Sequence, residues 1–342
     1  MKEVREKIDP NISFQNQPDS RAFLGHLARF GGEAPSSHNT QPWLFLISDN
    51  AIEVHGNEER KLRASDPDNR QFFVSIGCAI ENILVAADYY GLHPAVAYFP
   101  DPADPLYAAK ISFSNFAAAR HESNDHLIFE ITRRTANREL FGERPIPDDF
   151  LEKIRSMNNE SLSSCIVHEP AVKKEITAVA VDATVAAMRD KAFCGELSQW
   201  MKPSLSKYHD GMPGYNIGIP WPLSFIFGFV IRHGNVAEMQ RKAIGKMLEK
   251  TPVMVAIATK ENTPMTWLET GRTLERIWLE ASKRGISMGI IAAPVQIGDF
   301  YLRLQSALKT SLRPQAFFRI GYSGTTRPKS PRLAFKDIIR NK

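Results

Sequence analysis

Residues 77–92 read GCAIENILVAADYYGL, and residues 271–286 read GRTLERIWLEASKRGI. At this constant offset the two segments share a Gly, a Glu, an Ile, an Ala and a second Gly. Both place apolar residues at i, i+3, i+4 and i+7, the spacing of a helix with one buried stripe. Both end in a glycine, which favours the left-handed conformation of a helix C-cap. The pattern predicts two equivalent helices, although two unrelated amphipathic helices can also share such features.

The two predicted helices occupy corresponding places in two α+β halves of comparable size, so the chain is predicted to be a pseudo-symmetric pair. In the first half we predict a helix near 20–30, strands at 43–48 and 51–55, the repeat helix at 75–90, and strands near 95–99 and 108–113. In the second half we predict helices near 124–132, 147–157, 170–193, 236–249 and 298–308, strands at 252–259 and 315–321, and the second repeat helix. The predicted domains are residues 1–120 and 121–342, with the boundary in the loop at 114–124.

Composition limits the classes of function. The chain has 342 residues, of which 43% are hydrophobic and 24% charged, enough for a large core. The net charge of +5 is spread along the chain, without the Lys/Arg blocks of a nucleic-acid footprint. Cys78, Cys165 and Cys194 form no CxxC pair and the histidines no HExxH, so we predict no disulfide framework and no metal site. The first residues lack the apolar core of a signal peptide, which predicts a cytoplasmic protein.

Residues 203–235 form a Pro/Gly-rich excursion, and loops of this length are often functional lids. Within it, residues 217–231 read IGIPWPLSFIFGFVI. About 20 apolar residues are needed to cross a bilayer, and this run is shorter and contains two prolines and two glycines. We predict no membrane span, and a buried loop or lid element in preference to membrane contact.

A polar loop precedes the first predicted strand. Residues 34–43 read APSSHNTQPW. Pro35 and Pro42 prevent helix or sheet from running through the segment, which predicts a rigid loop with hydroxyl and amide groups available to a polar ligand. The alternative is a turn and N-cap made by Ser36, Ser37 and Asn39.

A basic cluster follows in the second half. Residues 131–141 read ITRRTANRELF, with Arg133, Arg134 and Arg138 beside Thr135 and Asn137. A solvated basic face is one interpretation. Apolar residues flank the cluster on both sides, however, and guanidinium groups beside a hydroxyl suit a phosphate.

These motifs together resemble the nitroreductase-like flavoproteins. That family carries an APS loop followed by Asn and Gln-Pro-Trp, an Arg-Arg-Ser/Thr-x-Arg signature, and a closing Pro-Arg element, which Pro331-Arg332 resembles here although Leu333 replaces the usual second basic residue. The resemblance implies FMN as cofactor. It implies that Ser36, Ser37, Asn39 and Gln41 contact the ring and ribityl chain. It also implies that the phosphate site comprises Arg133, Arg134, Thr135, Asn137, Arg138 and Arg332.

The motifs are distributed unequally between the halves. Residues 14–21 offer only Arg21 before the APS loop, and the second half has no second APS-Asn-Gln-Pro-Trp segment. This unequal distribution, together with the segments Asp210–Pro213 and 314–322, makes the chain resemble the fused-dimer Acg family. The resemblance implies a nitroreductase-like α+β fold of two pseudo-symmetric halves, each an antiparallel-rich sheet flanked by helices. It also implies one complete and one degenerate flavin site, with Met212 and Pro213 in the lid 203–235.

The leading functional hypothesis is an FMN-dependent oxidoreductase of nitroreductase type. It would transfer electrons from a reduced nicotinamide or another donor to a small quinone, nitro or unsaturated acceptor. The alternative is a flavin-sequestering or redox-sensing protein whose lid blocks the site, and a third hypothesis is a binding module without flavin. Because flavin carries the electron chemistry, no catalytic acid, base or nucleophile is assigned. The predicted partners are small molecules and not nucleic acid, and the predicted state is a monomer or weak dimer.

Overall fold

The structure, a computed structural model, describes residues 8–12, 19–114, 116, 123, 125–205 and 207–340. The first half contains helices α1 (Ser20–Gly32) and α2 (Arg70–Tyr89), and strands β1 (Trp43–Ile47), β2 (Ala51–Gly56), β3 (Ala95–Tyr98) and β4 (Tyr107–Ser112). Helix α1 begins where the Asp19 carboxylate accepts a hydrogen bond from the backbone N–H of Ala22 at 2.7 Å, a typical N-cap. The proposed boundary between residues 120 and 121 lies outside the described residues.

The second half is larger. Its first elements are helices α3 (Ile128–Arg133) and α4 (Asp148–Arg155), strand β5 (Leu162–Val167), helices α5 (Pro170–Arg189) and α6 (Lys191–Trp200), strands β6 (Met201–Lys202) and β7 (Met212–Pro213), and helices α7 (Gly214–Ile217), α8 (Trp221–His233) and α9 (Ala237–Glu249). There follow strand β8 (Val253–Thr259), helix α10 (Pro264–Lys283), strand β9 (Ser287–Ile290), helices α11 (Ala293–Gln296) and α12 (Phe300–Ala307), and strand β10 (Arg313–Gly321).

The two halves contain sheets of the same topology. The first sheet has the order β1-β2-β4-β3 and the second the order β5-β8-β10-β9, and every neighbouring pair is antiparallel. Each repeat helix follows the second strand of its sheet and precedes the next one, since α2 lies between β2 and β3 and α10 between β8 and β9. The prediction of an α+β fold with two pseudo-symmetric, antiparallel halves is confirmed.

The repeat helices end alike. Gly91 and Gly285 both have a φ of 67°, the left-handed region that glycine enters most readily. In each case the next residue donates its N–H to a carbonyl five positions back, from Leu92 to Ala87 at 2.9 Å and from Ile286 to Ala281 at 2.8 Å. This is the Schellman arrangement, and it confirms the predicted C-caps.

One hydrophobic core joins the halves. It contains Phe45 and Ile83 from the first half together with Val255, Ile277 and Phe318 from the second, all fully buried. Helix α2 is long and apolar enough to span a membrane, but 89% of that apolar stretch is buried inside the protein. Within the described residues it is the one helix of that kind, and its burial makes it the central helix of this shared core.

Several sequence-based boundaries were wrong. The predicted helix at 170–193 is two helices, because Asp190 is extended and its carboxylate accepts hydrogen bonds from the N–H groups of Ala192 and Phe193, beginning α6. The repeat helices begin earlier than predicted, at Arg70 and Pro264, and strand β9 was missed. The apolar run at 217–231 is also not a buried loop, because most of it forms the exposed helix α8.

Candidate functional site

A cavity of about 270 Å³ lies between the two halves. The first half contributes the loop at 35–39 and one face of α2. The second half contributes residues 134–138, part of the lid, α10, the strands β9 and β10, and the C-terminal segment. The apolar part of the wall includes Val74, Leu274, Trp278, Val295 and Phe317. Both repeat helices therefore supply residues to the same cavity, one from each half.

The loop of the first half has an unusual backbone. His38, Asn39 and Gln41 have φ values of 52°, 57° and 53°. Left-handed backbone costs a non-glycine residue about 1–2 kcal/mol, and such strain concentrates at functional sites. Hydrogen bonds hold the loop in this form: Gln41 donates its backbone N–H to the Ser36 hydroxyl at 2.9 Å. Ser36, Ser37, His38 and Asn39 line the cavity.

Asn39 connects three parts of the chain. Its amide nitrogen donates to the carbonyl oxygens of Gly211 in the lid (3.0 Å) and Pro331 near the C-terminus (3.1 Å). Its amide oxygen accepts a hydrogen bond from Arg332 at 2.9 Å. The side chain therefore fixes the position of the loop against the lid and the tail, in addition to forming part of the cavity wall.

Gln41 lies outside the cavity wall. Its side chain is 1% exposed, donates to the carbonyl of His209 at 2.9 Å and accepts from the N–H of Leu333 at 2.9 Å. The structure thus uses Gln41 to join the loop to the lid and the tail, and it does not bring this side chain to the cavity as the resemblance implied.

The four arginines of the proposed phosphate site have different environments. Arg133 is the last residue of α3; its side chain is 67% exposed, pairs with Glu130 at 2.9 Å and lies outside the cavity wall. Arg134 is buried, lies 3.0 Å from the Glu275 carboxylate and packs on the Trp278 ring. Burial raises the pKa of Glu275, while the Arg134 charge acts to lower it.

Arg332 is buried at the junction of the tail and the loop. It donates to the carbonyl oxygens of Glu33 and Ala34 at 2.9 and 3.0 Å, in addition to the Asn39 amide. Most of its donors are therefore occupied by the protein, although the residue still lines the cavity.

Arg138 differs from the other three. It lines the cavity, and more than a third of its surface is accessible although protein surrounds it. The surrounding protein desolvates the guanidinium group and thereby lowers the pKa of Arg138, and the charge of Arg327 lowers it further. An arginine nevertheless remains protonated in proteins. Its described contact is a long one to the Met212 sulfur, 3.5 Å. Among the residues that the structure describes, no carboxylate lies within ion-pair distance of Arg138.

The remaining residues of the second-half cluster are placed by short backbone contacts. Asn137 donates its N–H to the Met288 carbonyl at 2.8 Å, and its side chain donates to the Thr325 carbonyl at 3.2 Å. Thr135 and Asn137 both line the cavity. Residues 134–138 therefore run along β9, with Arg138 directed at the space that Thr135 also faces.

The lid is tied to both halves. Arg60 of the first half donates to Asp210 at 3.1 Å, and Asn216 donates to the Pro328 carbonyl at 2.9 Å. Met212 and Asn216 line the cavity, whereas Pro213 is buried beside them outside the wall. The middle of the excursion at 203–235 thus covers one side of the cavity.

Two titratable residues of the cavity wall, His38 and Cys78, were not singled out from the sequence. His38 is part of the quoted loop motif; burial lowers its pKa to about 4, Glu196 opposing the shift and Arg138 adding to it. Its Nε2 atom is buried, with no hydrogen-bond partner in the described chain. Cys78 is in the quoted repeat helix, donates to the Gly271 carbonyl at 3.2 Å, and has a thiol pKa raised well above its ordinary value by burial. Only its position on the inner face of α2 could have indicated that Cys78 lines the cavity.

One residue in the cavity wall has a repeat-related partner of different chemistry. Cys78 aligns with Arg272 at the constant offset of the repeat. Arg272 donates to Glu81 at 3.0 Å and also to the Tyr98 hydroxyl. An ion-paired arginine therefore stands at the repeat position that is equivalent to the thiol of the cavity wall.

Comparison with known proteins gives one class. No family model matches the sequence. The chain is 22% identical over 316 residues to a Mycobacterium tuberculosis H37Rv protein named "Putative NAD(P)H nitroreductase Rv3131", covering 90% of this chain and 88% of the relative. It is 24% identical over 312 residues to "Putative NAD(P)H nitroreductase acg" of the same strain, covering 90% of this chain and 92% of the relative.

Two solved structures also match. One is the FMN and NADPH-dependent nitroreductase NfnB from Sphigopyxis sp. strain HMH, with a TM-score of 0.44, 16% identity, and coverage of 63% of this chain and 98% of that chain. The other is a nitroreductase with bound FMN from Desulfitobacterium hafniense DCB-2, with a TM-score of 0.41 and 16% identity. The match covers 64% of this chain and 99% of that chain.

The repeated sheets and the similarity along most of the chain to the curated relatives point to one class, the nitroreductase-like proteins, which this chain resembles. Within that class it has the two-half arrangement in one polypeptide, and the acg protein is one of the relatives that it matches over nearly their whole length.

Proposed function

We propose that the cavity binds FMN and that the protein is an oxidoreductase of nitroreductase type. It would pass electrons from a reduced nicotinamide or another small donor to a small quinone, nitro or unsaturated acceptor. The observation that carries the proposal is Arg138, a guanidinium without a carboxylate partner in the described chain, which lines a cavity whose wall is partly apolar. A cation in such surroundings is stabilised by an anionic ligand.

The residues present fit the chemistry of FMN. The phosphate end requires charge-assisted donors, which Arg138 and the hydroxyl of Thr135 offer on one wall. A flat ring requires apolar walls with a few polar groups at its edge. Val74, Leu274 and Trp278 provide the apolar surface, and the partnerless Nε2 of His38 is a polar group still available. The fit concerns Arg138 and not Arg133, which lies outside the cavity.

In this proposal, bound FMN supplies reversible hydride and electron transfer, and the chain's own residues bind, orient and exclude water. Arg138 and Thr135 hold the phosphate end, and Ser36, Ser37 and Asn39 orient the remainder. Arg134 and Arg332 mainly hold neighbouring parts of the chain in place. Glu275 compensates the charge of Arg134, and backbone carbonyl groups occupy the donors of Arg332. Met212 and Asn216 cover the cavity from the lid side.

A second candidate function, flavin sequestration or redox sensing, is favoured by the closure of the lid. Hydrogen bonds to both halves fasten the lid segment, among them those from Asn39 to Gly211, Gln41 to His209, Arg60 to Asp210 and Asn216 to Pro328. A lid held in this way would restrict the entry of a nicotinamide. FMN binding would then be retained while turnover is slow.

The two candidates separate in one experiment. The purified protein is loaded with FMN, its visible spectrum is recorded, and NADPH oxidation is followed with and without a quinone or a nitroarene. Acceptor-dependent turnover supports the oxidoreductase. A yellow protein without turnover supports sequestration. A colourless protein that takes up no added FMN would refute both and favour a module without flavin.

A further inference from the structure

Helix α8 has its apolar side facing solvent. Trp221, Phe225 and Phe229 follow one another at i, i+4 and i+8 and are 60%, 55% and 68% exposed. Leu223 and Ile226 are also more than half exposed. Contiguous apolar surface of this kind is rare on monomeric proteins and marks an interaction site.

The opposite side of α8 is firmly packed, so the exposed side is not the result of a detached helix. The Ser224 hydroxyl accepts a hydrogen bond from the Ser204 N–H at 2.9 Å, and Ile231 is 2% exposed in a cluster with Phe193 and Leu197 of α6. The structure therefore presents a helix in fixed orientation, inner side on the protein and aromatic side outward.

The width of the exposed side indicates what covers it. At about 100° per residue, the exposed apolar side chains extend from Trp221 through Phe225, Phe229 and Ile226 to Leu223, an arc of about 200°. A second helix covers a stripe of about half that width, whereas the headgroup and acyl boundary of a lipid layer can surround a protruding helix.

The charges of α8 favour an anionic surface. The helix contains no Asp or Glu, and its two charged or titratable residues, Arg232 and His233, lie together at its C-terminal end and are exposed. Arg232 forms no ion pair with any residue in the described part of the chain. The whole chain also has a net charge of +5, which attracts the protein to anionic lipids.

We propose that α8 is a lipid-docking helix that lies in the interface of an anionic membrane, with Trp221, Phe225 and Phe229 inserted and Arg232 at the headgroups. A helix of 13 residues is too short to span a bilayer, so the contact is peripheral. Because Met212 and Asn216 belong to the same lid, docking would bring the lid side of the cavity to the lipid surface.

The test measures binding of the full chain to phosphatidylcholine vesicles with and without phosphatidylglycerol, by flotation and by tryptophan fluorescence. We expect binding to be stronger with phosphatidylglycerol, and a blue shift that disappears in Trp221→Phe. The double variant Phe225→Gln/Phe229→Gln should weaken binding at least about tenfold. Arg232→Gln should reduce the preference for phosphatidylglycerol, because it removes the positive charge at the end of α8. The matched control is Leu302→Gln on α12, where the residue is 50% exposed, and it should bind like the wild type.

Three results would overturn the proposal. The first is a wild-type protein that floats with neither vesicle. The second is a Leu302→Gln variant weakened as much as the double variant. The third is a lipid-free dimer that Phe229→Gln converts to monomer, which would make α8 a self-association surface. If the double variant does not fold, the wild-type and Trp221→Phe fluorescence comparison still decides the question.

Discussion

Gly77 of α2 and Gly271 of α10 pack against each other where the two repeat helices cross. A Cβ atom on Gly77 would lie 2.2 Å from the Leu268 carbonyl oxygen, and one on Gly271 would lie 2.0 Å from the Val74 carbonyl oxygen. The two glycines are equivalent positions of the repeat, so the pseudo-twofold relation passes between them. Neither position can accept a side chain without separating the helices.

The first prediction concerns this crossing. Gly271→Ala should lower the free energy of unfolding by about 3 kcal/mol or more, at or above the upper end for overpacked cores, because the clash is with backbone. Gly195→Ala on α6 is the matched control, since a Cβ there meets nothing within 4 Å and alanine favours helix by about 1 kcal/mol. Urea unfolding of both variants measures the difference. A Gly271→Ala protein as stable as the wild type would mean that the helices can shift apart freely.

The second prediction separates two arginines of one motif. Arg138→Ala should weaken FMN binding about 10- to 150-fold, the loss of one charge-assisted contact of about 1.5–3 kcal/mol. Binding of riboflavin, which has no phosphate, should barely change. Arg133→Ala should leave both affinities near wild type, because that side chain is 67% exposed and outside the cavity. Fluorescence titration of both variants with both flavins gives the four affinities.

Equal losses of FMN and riboflavin binding in Arg138→Ala would show that Arg138 supports the fold rather than the phosphate. A selective loss of FMN in Arg133→Ala would return the phosphate contact to the residue that the motif alone favours.

The third prediction separates hydrogen bonding from backbone strain at Asn39. Asn39→Gly loses the bonds to Gly211, Pro331 and Arg332 but accepts the φ of 57°. Asn39→Ala loses the same bonds and adds the left-handed penalty of about 1–2 kcal/mol. Both should weaken FMN and riboflavin alike, with Asn39→Ala less stable in thermal unfolding. If the alanine variant matches the glycine variant in stability, the loop is not strained at this position.

A fourth prediction is a stoichiometry of one FMN per chain, because the APS loop and the arginine cluster each occur once in the sequence and both line the same cavity. Flavin released by heat is measured against protein concentration. A ratio near two would contradict the assignment of a single site. The same preparation, examined by light scattering, should contain loaded monomers, since both halves of the site belong to one chain.

The fifth prediction is a pH dependence of stability. The folded pKa of His38 is lowered from 6.5 to about 4, so between those values the unfolded state binds more protons. The contribution of His38 to the free energy of unfolding is therefore at its maximum above pH 6.5. It decreases as the pH falls towards 4, by up to about 1.4 kcal/mol per pH unit.

His38→Gln should remove this contribution, and the difference between variant and wild type in urea unfolding from pH 7 to pH 4 isolates it. The control is His26→Gln, since His26 has a similarly lowered pKa of about 4 but lies beside Tyr90, away from the cavity. Loading with FMN should change the pH-dependent difference in unfolding free energy between His38→Gln and the wild type. The corresponding difference for His26→Gln should stay the same. If FMN does not change the difference for His38→Gln, the His38 ring does not contact the bound flavin.

The parts of the fold that sequence predicted are those encoded over short distances. The spacing of Ile80, Ile83 and Leu84 is sufficient to define a helix with a buried side, and Gly91 is sufficient to end it. The same applies to the loop at 34–43, where Pro35 and Pro42 exclude regular structure. The sequence pattern predicted a single strand after α10, at 315–321, and β9 was missed because that strand has only four residues, one of them Gly289.

The arginine motif at residues 133–138 was also recognisable from a short segment of sequence. Which of its arginines faces the cavity was not. Nothing in residues 133–138 distinguishes Arg133 from Arg138. The distinction arises because α3 ends at Arg133, still in solvent, and the chain then turns along β9 and carries Arg138 inward. Gln41 likewise finds its partners at His209 and Leu333, more than 160 residues away.

The sequence by itself determined the repeat, the α+β halves, the polar loop and the class of ligand that these motifs resemble, since each depends on residue types at fixed short spacings. Only the tertiary structure decided that Arg138 faces the cavity, that Arg272 pairs with Glu81 and that the aromatic side of α8 points outward. Those outcomes depend on which surfaces the two halves bury against each other, and hydrophobic periodicity along one segment does not contain that information.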